Sequence, residues 1–120
     1  MNIFERLKNA ENDANDFGFS WPNTNMILDQ ITSEVTEIRL AIKDETSDRV
    51  KEEIGDLLHA TLSLCVFLNF NQEEILNLTI SKFEKRLSKV KELAQDQGLK
   101  TLKDEHFDIL MKFWKQAKEV

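Results

Sequence analysis

Tyrosine is absent from this chain of 120 residues; cysteine and proline occur once each and glycine three times. A single cysteine excludes an internal disulfide. Cys65 sits in the apolar run from Leu62 to Leu68, where a packed core thiol is expected, since free cysteine is among the most buried residue types. Such sparing use agrees with a reducing compartment, the cytoplasm. With so few chain breakers and only short, scattered runs of Val, Ile and Thr, long helices are expected rather than a sheet. No apolar run approaches the roughly 20 residues a membrane-spanning helix needs, and the N-terminus turns polar within a few residues, unlike a secretory signal. No membrane partner is expected. Positive charge is also short, with 16 Lys and Arg against 22 Asp and Glu, a formal net charge of −6. A nucleic-acid surface needs clustered basic residues, so nucleic acid is not an expected partner. An acidic protein can still take a polyphosphate when divalent cations sit between the two.

What the sequence does have is periodicity. The length suits one domain, 1–120, with a core large enough to do without disulfides or a structural metal. Ile3, Leu7, Ala10, Ala14 and Phe17 recur at three- and four-residue spacing, which predicts a helix over about 2–16. An aromatic-rich loop follows, and Pro22 disfavours helix at Trp21. A second helix is expected from Asn23 or Thr24 to Asp44, on the stripe Ile27, Ile31, Val35, Ile38 and Ile42. A third should start at Ser47 or Asp48 and reach about Phe70, on Val50, Ile54, Leu57, Leu58, Thr61, Leu64, Cys65 and Leu68. Asn71 with Glu74 reads as a capping box opening a fourth helix, which Gly98 closes. A shorter fifth helix is expected over about 103–118. The fold class is therefore all-α, a bundle of four main helices plus a short C-terminal helix, with short connections making successive helices antiparallel neighbours.

Four acids stand on the wrong face. Glu34 lies three residues after Ile31 and four before Ile38, hence on the apolar stripe of the second helix, with Glu37 one turn on at its edge. Glu53 lies three after Val50 and four before Leu57, and Asp56 follows it by three. Antiparallel packing would gather both pairs. Buried unpaired carboxylates cost several kcal/mol each, on the order of the penalty for buried ions. With no basic residue at matching inward positions of these helices, hard divalent cations with oxygen ligands suit the set. The alternative is that the acids pair with Lys or Arg on a solvated face. Gly55, between Glu53 and Asp56, marks either a close approach of a helix or ligand or a tolerated surface glycine.

The segments Glu34-Val35-Thr36-Glu37 and Glu53-Ile54-Gly55-Asp56-Leu57-Leu58 resemble the paired E-x-x-E and E-x-x-D signature of the MazG-like nucleotide pyrophosphohydrolases. Phe17 to Pro22 is similar to that family's aromatic loop, Lys82 to Leu87 to its K-F-x-x-R segment, and Leu102 to Lys118 to its C-terminal helix. Two positions depart: Ser33 stands where the family usually has a further Glu, and Ile80 where an Asn is common. The resemblance implies a magnesium-dependent enzyme, with manganese a possible substitute. It also implies hydrolysis of nucleoside triphosphates between the α- and β-phosphates to a monophosphate and pyrophosphate, a nucleotide-pool cleaning role, and a homodimer or homotetramer.

Within that reading Glu34, Glu37, Glu53 and Asp56 hold metal, and Glu37 or Glu34 is the candidate catalytic base. Lys82 and Arg86, spaced i, i+4, could contact phosphate or pair with acidic helices. His59, one turn after Asp56, could touch base or phosphate or be an internally satisfied histidine. Trp21, Phe17 and Phe19 could stack on a base or pack at a bundle end. Two other classes compete. A di-iron carboxylate bundle wants E-x-x-H motifs on two helices, and only Asp56 with His59 comes close. A non-catalytic interaction bundle would keep the fold without the chemistry. Finally, Val66, Phe67, Phe70 and Phe113 exceed what one small bundle should enclose, which points to a symmetric homo-oligomer with the site near a subunit boundary.

Overall fold

The computed structural model describes residues 1–44 and 46–119. Five helices occur among the described residues: α1 (Ile3–Phe17), α2 (Thr24–Lys43), α3 (Ser47–Phe67), α4 (Gln72–Asp96) and α5 (Phe107–Lys118). The all-α class expected from the sequence, four main helices and a short fifth, is the class observed. Local chemistry sets the ends. Asn2 and Asn23 accept from the backbone N–H of Glu5 and Met26, each at 2.9 Å. Asn71 does the same for Glu74 at 2.8 Å. These caps satisfy donors that a helix start leaves free. Gly18 ends α1 with φ 96°, and Gly98 follows α4 with φ 80°, the left-handed turn that glycine adopts without a Cβ penalty. Two expected boundaries move. The third helix stops at Phe67 rather than Phe70 because Asn69 turns left-handed, φ 62°, and the fifth starts at Phe107 rather than 103 because Asp104 does so, φ 73°.

The chain divides into two compact units. In the first, Met1–Glu74, α2 and α3 pack against each other, with Ile27, Ala41 and Ala60 buried between elements. Helix α1 joins them more thinly, with no buried residue of its own. Gln72, buried at the start of α4, donates to the Leu62 carbonyl at 3.0 Å and ties that turn to α3. The second unit, Ile75–Val120, has its core on Val90, Ala94, Phe113 and Ala117. Phe113, expected as surplus apolar surface, is 1% exposed and is the centre of that core. The expected stripes are only partly covered: Val35, Ile42, Ile54 and Leu58 in the first unit, and Ile80, Phe83 and Leu87 in the second, are exposed. No single helix among the described residues is long and apolar enough to cross a membrane.

Candidate active site

The first unit brings three of the four inward acids together. One carboxylate oxygen from each of Glu34, Glu53 and Asp56 lies within 4.8 Å of the others. Glu34, on α2, is 8% exposed. Its Oε1 accepts from Gln30 Nε2 at 2.6 Å, whereas its Oε2 is buried without a partner. Glu53 and Asp56 come from α3, one turn apart, half-buried and exposed respectively. Loss of water, a hydrogen bond with Glu34, and the negative charges of Glu34, Asp56 and Glu37 all raise the Glu53 carboxyl above its ordinary 4.5. Each of these favours the neutral acid over the carboxylate.

Glu37 stands apart from this trio. Its Oε2 pairs with the Arg49 guanidinium at 3.4 Å, and Arg49 also holds Asp44 at 2.9 Å. For Glu37 the alternative reading, a pair with Arg on a solvated face, is the one observed: Arg49, in the first turn of α3, reaches back to α2 with both side chains substantially exposed. Periodicity within one helix does not reveal a pair made across the α2–α3 connection. At Gly55 a Cβ would meet nothing within 4 Å, so of the two readings of this glycine the packing of a neighbouring helix is not the explanation.

Three carboxylates this close, one with a buried oxygen lacking any donor, are unfavourable as a bare group. Their chemistry fits a hard divalent cation, which takes oxygen ligands and offsets the charge. The trio borders a cleft of about 700 Å3. Trp21, Phe19 and Met26 give it an apolar wall, and Glu34 and Asp56 line it with His59. His59 Nε2 is bonded to Glu11 Oε1 at 2.8 Å, and the Ser63 hydroxyl donates to the same oxygen. Glu11 and Ser63 were not singled out from the sequence. The signal was there, since Glu11 sits four residues after Leu7 and three before Ala14, an acid on the stripe of α1.

Lys82 and Arg86 belong to the second unit, where they flank a shallow cleft with Lys85, Lys89 and Lys118. The Arg86 guanidinium lies 5.7 Å from the Trp114 ring centroid, and Phe83 packs on the same ring at 5.8 Å. Ser33 and Ile80, the two departures from the family pattern, are both exposed.

A family model described as the MazG nucleotide pyrophosphohydrolase domain matches residues 23–91, more than half of the chain. The chain belongs to the MazG family. The nucleoside triphosphate pyrophosphohydrolase/pyrophosphatase MazG of Thermotoga maritima is 32% identical over 111 residues, 92% of this chain and 42% of that protein. The nucleoside triphosphate pyrophosphohydrolase of Escherichia coli strain K12 is 29% identical over 103 residues, 84% of this chain and 39% of its own length. The chain thus spans about two fifths of the length of these MazG relatives. A phosphoribosyl-ATP pyrophosphatase of Vesicomyosocius okutanii is 34% identical over 93 residues, 77% of this chain and 87% of that protein. The matched MazG segment holds Glu34, Glu37, Glu53 and Asp56, as well as Lys82 and Arg86, while Glu11 and Trp21 precede it.

Proposed function

We propose that this chain is a single MazG domain that hydrolyses nucleoside triphosphates to monophosphate and pyrophosphate with the help of divalent cations, magnesium by preference and manganese in its place. The observation that carries the reading is the trio Glu34, Glu53 and Asp56, with its buried unpartnered oxygen, at the edge of a cleft large enough for a nucleotide. The relatives' names agree on pyrophosphate chemistry with nucleotides.

Glu34, Glu53 and Asp56 are the residues that would hold the cation, with Gln30 donating to the Glu34 carboxylate. Bound divalent cations supply positive charge against phosphate oxygens and acidify water. Glu37, on the same helix as Glu34 though paired with Arg49, is one candidate to accept a proton from an attacking water, with Glu34 the other candidate for that role. Trp21 offers a π-face at the cleft wall for a base. Lys82 and Arg86 are candidate phosphate contacts by their chemistry and their match to the family segment alone. A nucleotide-pool cleaning role in the cytoplasm and assembly as a homodimer or homotetramer complete it; the exposed apolar faces of α2, α3 and α4 support the assembly.

The test is product analysis with a panel of nucleoside triphosphates and magnesium. Pyrophosphate and the monophosphate are expected as first products, with no turnover in excess chelator. Orthophosphate as first product, or undiminished activity without divalent cations, would overturn the assignment.

A further inference from the structure

We infer that Glu11 reads the base in this cleft, selecting nucleotides whose base presents an exocyclic amino group over those with a carbonyl at the same position. The inference rests on the proposed nucleotide chemistry but concerns a different part of the cleft. The Glu11 side chain is 15% exposed and lines the cleft, whose lining contains no Lys or Arg. Its Oε1 is occupied twice, by His59 Nε2 and by the Ser63 hydroxyl. Those two bonds fix the carboxylate's plane and use both lone pairs of that oxygen. The other oxygen, Oε2, has no donor among the described residues. It is not a buried orphan as Glu34 Oε2 is, and Glu11 is one of the residues that line the cleft.

A carboxylate can only accept. An aromatic and apolar wall of Trp21, Phe19 and Met26 beside one free acceptor oxygen makes a slot for a flat ring carrying an N–H donor at its edge. An amino group, as on cytosine or adenine, satisfies that oxygen. A carbonyl in the same place, as on uracil or hypoxanthine, sets acceptor against acceptor and leaves a desolvated carboxylate unpaired. A site built to hydrogen-bond one group rejects the analogue lacking it far more strongly than an apolar pocket rejects a change of size. For a bond to a charged group the discrimination is about tenfold to hundredfold.

Two substrate pairs isolate the contact: dCTP against dUTP, and dATP against dITP, each differing by amino for carbonyl. Pyrophosphate release should favour the amino member of both pairs by at least about tenfold in kcat/KM. Binding of dCMP and dUMP without metal, followed by calorimetry, should show the same order. Glu11→Gln keeps its carbonyl oxygen for the His59 and Ser63 bonds and leaves an N–H2 donor in place of the free oxygen, so both ratios should fall to unity or below. Equal use of dCTP and dUTP by the wild type, or a preference that persists in Glu11→Gln, overturns the inference and leaves the proposed reaction standing. Selective dCMP binding with no turnover of any triphosphate overturns the reaction and leaves Glu11 as the base reader. Should Glu11→Gln lose the wild-type melting transition, Ser63→Ala keeps the carboxylate but frees its plane, and the dCMP preference should then shrink severalfold; an unchanged preference refutes the role.

Discussion

Glu34→Gln should stabilise the metal-free protein while abolishing its response to magnesium. In the wild type, Glu34 Oε2 is buried without a donor, and the neighbouring oxygens of Glu53 and Asp56 lie within 4.8 Å of a Glu34 oxygen. An unsatisfied buried acceptor costs about 1–3 kcal/mol, and more when charged. The glutamine amide removes one negative charge from the trio and places an N–H2 donor where two carboxylates can accept it. The carbonyl oxygen of the same amide can keep the bond from Gln30, now 2.6 Å. The expected gain in chelator is therefore at least about 1 kcal/mol, a rise in Tm of roughly 3–6 °C for a domain of this size. Magnesium in excess should raise the wild-type Tm by linkage, because the cation binds the folded state, and should leave the variant almost unmoved. The assay is a thermal melt by circular dichroism at fixed protein concentration, with and without metal, alongside pyrophosphate release. A variant that melts below the wild type in chelator, or gains as much from magnesium, would show that the trio is not the strained acidic group described here.

Glu53 gives the pH dependence. Its folded-state carboxyl is raised above 4.5, so its contribution to stability is fully present below 4.5 and lost as pH rises through the raised value. Between pH 7 and 4.5 the metal-free protein should therefore gain stability from this group on acidification, and Glu53→Gln should remove that gain; identical pH profiles for the two proteins would refute it. Gly55→Ala should raise stability by about 0.5–1 kcal/mol, since a Cβ there meets nothing and alanine favours helix. Chemical denaturation measures it, and a loss of turnover in that variant would mean that a ligand approaches the α3 backbone at this point. Sedimentation at micromolar concentration should give a homodimer or homotetramer, with Tm rising as protein concentration rises; a monomer of 14.0 kDa would mean the exposed apolar faces have no symmetric partner.

The helices were legible because one rule, apolar residues on a repeat near 3.6, acts locally. Their ends shifted where a left-handed residue other than glycine intervened, at Asn69 and Asp104, since no residue type announces that conformation as glycine does at Gly18. All four candidate acids were visible on the inward side of their own helices, and the structure gathers three of them, Glu34, Glu53 and Asp56. Arg49 was not visible, because its partners Glu37 and Asp44 belong to the preceding helix and its end. Glu11 obeyed the same inward-face rule, yet its meaning depends on Ser63 and His59, 52 and 48 residues away. Phe113 was misplaced for a related reason: a single short helix does not reveal how much of α4 it covers, and Val90 and Ala94 close over it.

Helix α1 buries none of its residues and reaches α3 through the polar tie from Glu11 to His59 and Ser63. Local opening free energies follow buried apolar contact, so the backbone amides of α1 should exchange with solvent deuterium sooner than those of α2 and α3. One wall of the cleft is then a separately opening piece of the molecule. Any ligand that fills the cleft must also hold α1 in place, and the free energy of that ordering is subtracted from its affinity. A ligand bridging Trp21, Glu11 and the carboxylate trio would slow exchange along the whole of α1, whereas a cation bound by the trio alone would leave it fast.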